Sequence, residues 1–182
     1  MRQTRLASLV LILSLLTALP ALAVGSYAVA ATSSSTVGPL TRTETVVTSG
    51  PGALDRFKAV RLSRTGSQPS HGSLLLLPPL GPSFAFYEQR DASGALGSSV
   101  AEFFALRGYD VWGYALRMEG IPSGTCEAGV VDCSPMAAWN FDLMVEDITF
   151  LRSLIETARP GGGVVLGGTS LGAMLTVAVV NA

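Results

Sequence analysis

The residues best suited to chemistry lie near the end of the sequence. There Gly168-Thr169-Ser170-Leu171-Gly172 follows the apolar run 163–167 and opens an apolar stretch to Ala182. A serine on a sharp strand-to-helix turn holds its hydroxyl clear of the backbone, where it can attack an electrophilic carbon. Gly168 and Gly172 fit that turn because strand and helix backbones approach with no room for a Cβ. A helix starting just after Ser170 would also point its free N–H groups and positive dipole end at the site. The competing reading is a strand–helix junction that merely needs small residues. A Walker-type phosphate loop is excluded because no lysine follows Gly172. A dinucleotide loop belongs on the first strand of its fold, whereas this motif comes after several strand candidates.

A serine hydroxyl attacks efficiently only when a base takes its proton and an acid orients the base. The twelve residues after Ser170 contain no Asp, Glu or His. His71, the single histidine, precedes the Leu74-Leu75-Leu76-Leu77 run, while the serine lies beyond the far end of its own strand. Six or seven extended residues at about 3.3 Å each put it roughly 20 Å from the site, against a hydrogen-bond reach of about 3 Å. His71 therefore reads as a surface turn residue. Asp142, Glu146 and Asp147 read as the solvated face of a helix, and Asp110 lies near the start of its strand, the wrong end for catalysis.

The elements that must position Ser170 follow from periodicity. Thr43–Thr48 and Phe57–Ser63 read as strands around the turn Ser49-Gly50-Pro51-Gly52. Ser73–Leu77 is apolar without alternation, as in a strand covered on both faces. A helix is expected over Ser98–Arg107, closed by Gly108, then a strand over Tyr109–Tyr114. Met136–Arg159 reads as an amphipathic helix whose apolar stripe runs through Phe141, Met144, Val145, Ile148, Leu151 and Ile155. Alternating strands and helices predict a mostly parallel α/β sheet with helices on both faces.

Hydrophobic residues are 48% of the chain and charged residues 14%, which supports a sizeable core. Twelve basic residues against thirteen acidic, with no basic stripe, argue against a nucleic-acid partner. At the start, Arg2 and Arg5 precede the apolar run Leu6–Leu19, Pro20, and small residues at Ala21-Leu22-Ala23 and Ala28-Val29-Ala30. That order is a signal peptide, cut after Ala23, Ala30 or Ala31, and implies a secreted or cell-envelope protein. The alternative is an uncleaved membrane anchor. Residues 1–31 are thus expected to be a signal, 32–42 a flexible Ser/Thr-rich lead-in, and 43–182 the folded domain. Cys126 and Cys133 lie in a Gly/Pro/Ser-rich segment and read as a local disulfide in an exported protein, or as two unrelated thiols in a cytosolic one. With one distant histidine they make no zinc site, and no metal or cofactor is expected.

From about Phe57 to the last residue the sequence resembles the α/β-hydrolase family. The likeness rests on the G-x-S-x-G turn, the leucine strand with its Pro78-Pro79-Leu80-Gly81-Pro82 loop, the segment Gly108-Tyr109-Asp110-Val111-Trp112, and the helix Trp139–Leu154 before the turn. The resemblance implies that Ser170 is the nucleophile of a serine esterase or lipase. It also implies an oxyanion hole formed by the backbone N–H groups of Leu80 and Leu171. Pro78-Pro79 stands where the family commonly has His-Gly, and neither proline can donate an N–H. The family's acid and histidine follow the serine in chain order, so the domain is expected to be incomplete and the chain a fragment or truncated product with negligible activity. The expected partner is a small-molecule or lipid ester. A secreted peptidase or thioesterase, or a non-catalytic binding protein of the same fold, is the alternative.

Overall fold

A computed structural model describes residues 27–121, 123–127, 129 and 131–182. The basic and apolar parts of the expected signal, with Ala21-Leu22-Ala23, lie outside the described residues. The described chain forms strands β1 (Ala28–Val37), β2 (Leu40–Thr48), β3 (Arg56–Arg64), β4 (Ser73–Leu77), β5 (Asp110–Ala115) and β6 (Val164–Gly168). Its helices are α1 (Ala85–Glu88), α2 (Val100–Leu106), α3 (Phe141–Ala158) and α4 (Leu171–Asn181), with 3₁₀ turns at Arg117–Gly120 and Ser134–Ala138. Among the described residues no helix is long and apolar enough to cross a membrane.

The strands form one sheet in the order β1-β2-β3-β5-β4-β6. β4 runs parallel to both β5 and β6, while β1, β2 and β3 form an antiparallel meander that joins β5 through β3. Period-two alternation explains how the sheet is covered on both faces. Leu75 and Leu77 join Phe57, Ala59, Trp112 and Tyr114 in a core shared with α3 and α4. Leu74 and Leu76 face the other way with Val60, Leu62 and Val111, against α2. The leucine run has no polar position because β4 lies between two strands and under helices on both sides. The expected α/β architecture with helices on both faces is the one found.

Caps set the helix bounds. The Ser99 side chain accepts the Glu102 N–H at 3.2 Å, and Asn140 Oδ1 accepts that of Leu143 at 2.9 Å. α3 therefore starts at Phe141, five residues after the expected start at Met136, and residues 134–138 form a 3₁₀ turn instead. α2 ends at Leu106 with Arg107 as its C-cap, and the chain turns away at Gly108, whose φ of +86° favours a residue without a Cβ.

The stretch 32–42, expected to be a flexible lead-in, is a β-hairpin. β1 pairs with β2 from Ala28↔Thr48 to Val37↔Leu40 through Gly38-Pro39. Its side chains are almost all exposed, so polar composition marks a solvated edge strand here rather than a linker. A register shift between Val29 and Ala31 bends the end of that edge.

Asp147, expected on the solvated face of α3, is buried at 0% exposure. It lies three residues after Met144 and four before Leu151, inside the apolar stripe, and Arg117 pairs with it at 2.6 Å. Asp142 and Glu146 are exposed, as expected. Cys126 and Cys133 form a disulfide in the segment between β5 and α3.

Candidate active site

β6 runs directly into Thr169 and Ser170, and α4 begins at Leu171. Ser170 has φ +55° and ψ −119°, the one positive φ on a non-glycine residue among those described. Such a conformation costs on the order of 1–3 kcal/mol and persists only where its surroundings impose it. Here they do. The Thr169 N–H donates to the Leu77 carbonyl at 3.3 Å, Gly172 N–H to Thr169 O at 3.0 Å, and Ala173 and Met174 N–H to Ser170 O at 3.0 and 3.3 Å. The result is an exposed serine at the C-terminal edge of the sheet.

The first turn of α4 packs straight onto the end of β4. A Cβ at Gly172 would lie 2.0 Å from the Leu77 carbonyl oxygen, and one at Gly168 would lie 2.3 Å from the Gly172 carbonyl carbon. Gly168 and Gly172 are therefore both required by contact with backbone, which cannot move aside as a side chain can.

Leu80 lies in the loop after β4, exposed, and Leu171 is the first residue of α4. Leu77 pairs with Gly168, so both segments leave the sheet at the same edge as Ser170. As the first helical residue, Leu171 carries an N–H with no acceptor inside the helix. The loop is held by Phe84, which is buried over Gly113 of β5; a Cβ there would lie 1.8 Å from the Phe84 ring.

The remaining candidates are elsewhere. His71 is exposed before β4, its ring 4.9 Å from that of Tyr109, at the opposite end of the sheet. Asp110, at the start of β5, is buried and held by Arg61 at 2.7 and 3.1 Å and by the Trp112 indole N–H at 3.0 Å. The disulfide segment leaves β5 at the same end as Ser170. A groove of about 740 Å³, lined by Tyr27, Ser49, Arg117, Trp139 and Glu146, does not border the serine.

Sequence reasoning missed Tyr87. Its buried hydroxyl donates to the Leu77 carbonyl at 2.9 Å and lies 3.1 Å from Thr169 Oγ1. It thus ties the end of β4, where the Leu80 loop starts, to the residue before Ser170. The aromatic pair Phe84 and Tyr87, spaced by three, signals a buried helical face, but nothing local foretells where the hydroxyl goes. One such bond contributes about 1 kcal/mol, so Tyr87→Phe is expected to slow covalent labelling of Ser170 about fivefold. Labelling rates and unfolding midpoints measured side by side check this, and a slower rate at an unchanged midpoint marks positioning.

Glu119, in the turn after β5, has both carboxylate oxygens buried without a hydrogen-bond partner. Burial pushes its pKa up to about 7, against a small opposing pull from the Leu116 backbone. A carboxyl whose pKa is raised on folding stabilises the fold below its unfolded value, and that contribution is lost as pH rises toward the folded value. Wild type should therefore lose stability between pH 4.5 and about 7. Glu119→Gln should flatten that decline, and thermal midpoints of both proteins from pH 4 to 8 check it.

No family model and no curated protein matches the chain. Solved structures do. A candidate lipase from Sulfolobus solfataricus superposes with a TM-score of 0.65 at 14% identity, covering 85% of this chain and 45% of that one. A cold-adapted esterase from an Arctic intertidal metagenomic library, in its PEG-bound form, gives 0.52 at 14% identity, over 80% of this chain and 57% of that one. Its native form gives 0.50 at 14% identity, over 81% and 55%. The chain has the α/β-hydrolase fold, and it spans about half the length of these structures. Identity this low establishes the fold alone, and function has to be argued from the site.

Proposed function

We propose that this chain carries the nucleophile half of a secreted serine hydrolase acting on carboxylic esters. Ser170 attacks the ester carbonyl, an acyl-enzyme forms as the alcohol leaves, and water releases the acid. The N–H groups of Leu80 and Leu171 hold the oxyanion of each tetrahedral intermediate. The observation that carries this reading is the backbone of Ser170. A serine forced to φ +55° between the edge strand β6 and a helix N-terminus, with hydrogen bonds on both sides, is strained for a purpose that a plain junction does not require. The esterase and lipase structures that share the fold support the ester as substrate class. The disulfide and the signal-like start support export.

Among the described residues no histidine or free carboxylate accompanies Ser170, so the 182-residue chain alone has no base for it. Loss of the base costs on the order of 10⁴- to 10⁶-fold in rate. The chain by itself is therefore expected to turn over p-nitrophenyl esters negligibly. A form of the protein that carries an acid and a histidine after the serine is expected to turn them over at a rate that Ser170→Ala lowers by a comparable factor. Initial rates of these proteins test the reading. Rapid turnover by the 182-residue chain, abolished by Ser170→Ala, would overturn the claim about the base. Full activity of Ser170→Ala would overturn the nucleophile.

A further inference from the structure

Tyr27 fastens the start of the described chain into the core. Its ring stacks on Phe150 with centroids 4.8 Å apart and meets Phe57 edge-on at 6.3 Å. Its hydroxyl donates to Asp147 Oδ1 at 2.9 Å. Burial, then the negative charge of Asp147, raises the pKa of that hydroxyl, so it stays a donor across the ordinary pH range. β1 follows at once, its first residue paired with Thr48, whose Oγ1 donates to the Ala28 carbonyl at 3.3 Å.

The sequence offers more than one place for a signal peptidase to cut. Ala21-Leu22-Ala23 and Ala28-Val29-Ala30 both put small residues at the two positions such an enzyme reads, and Ala31 extends the second. Those positions do not choose between the sites, but the fold does. A cut after Ala30 or Ala31 would remove Tyr27, uncover the apolar rings of Phe57 and Phe150, and take one donor from a fully buried carboxylate. It would also strip β1 through its bulge. A cut after Ala23 leaves all of this intact and falls just beyond the apolar run Leu6–Leu19.

We infer that export processing cuts after Ala23, so that the mature protein begins at Val24 and keeps Tyr27 as its N-terminal anchor. The inference rests on the export reading above, and its test separates the two. The protein is expressed with its own N-terminus in an exporting host, recovered from the exported fraction, and its first residues and intact mass are determined. A mature start at Val24 supports the inference. A start at Ala31 or Thr32, or an exported chain that keeps Met1, overturns it while leaving export standing, and absence of the chain from the exported fraction overturns both. Chains made to begin at Val24 and at Thr32 give a second measurement. The shorter is expected to melt lower by about 5 °C or more, and equal midpoints would remove the packing argument.

Discussion

Asp147→Ala lowers the unfolding free energy by about 3–5 kcal/mol, the usual result of stripping one partner from a buried ion pair. The carboxylate is fully buried and accepts from Arg117 at 2.6 and 2.8 Å and from the Tyr27 and Tyr114 hydroxyls at 2.9 Å each. Arg117 reaches on to Ser49 Oγ at 2.7 Å. One side chain of α3, with its partner Arg117, thus gathers the start of the described residues, the β2–β3 loop, β5 and the turn after β5. Removing it leaves a guanidinium in the interior with its main partner gone. The cost arises from that orphaned charge rather than from the pair's net worth, which separates this account from a simple sum of contacts. Replacing both partners by apolar residues of similar size, Asp147→Leu with Arg117→Met, should recover the part of the loss due to the orphaned charge, while the Tyr27 and Tyr114 hydroxyls, left without their acceptor, keep the double variant below wild type. Denaturant midpoints of the single and double variants check it. A single variant within about 0.5 kcal/mol of wild type, the range of ordinary surface changes, would contradict it.

Gly172→Ala is expected to damage the site where Gly167→Ala does not. At Gly172 the added Cβ would meet the Leu77 carbonyl oxygen at 2.0 Å and the Pro78 carbonyl oxygen at 2.8 Å, whereas at Gly167 it would meet a Leu76 methyl at 3.6 Å. The second is an ordinary contact. The first pushes α4 off β4, lengthens the bond from Thr169 N–H to Leu77 O, and moves the Leu171 N–H away from the serine. Overpacking commonly costs about 1–3 kcal/mol, and contact with backbone on both sides places Gly172→Ala at or above the upper end. Covalent labelling of Ser170 is expected to fall more than tenfold in Gly172→Ala and to stay within about twofold in Gly167→Ala, since each 1.4 kcal/mol is a factor of ten. Equal labelling of the two variants would show that the close approach is unimportant.

Much of this was legible because the signals are local. The leucine run predicted β4 with its observed bounds, Ser73–Leu77, since a strand covered on both faces has no polar position to blur its ends. The turn at Ser170 was equally plain, because its glycines, its apolar strand and its apolar helix are contiguous. What the sequence concealed depends on distant partners. The Ser/Thr composition of 32–37 suggested a linker, and only the facing strand β2 makes it a strand. The charge of Asp147 outweighed its position in the α3 stripe until Arg117, thirty residues away, supplied the compensation. Tyr87 could be marked as buried, but its tie to Thr169 spans eighty-two residues that only the fold closes.

The central claim, that Ser170 is a nucleophile, is tested most directly by treating a form of the protein that carries an acid and a histidine beyond Ala182 with a fluorophosphonate probe and mapping the adduct by peptide mass. The account predicts a single adduct on the peptide containing Ser170, absent from Ser170→Ala. A protein that takes up no probe, or a Ser170→Ala variant labelled as strongly as wild type, would contradict it.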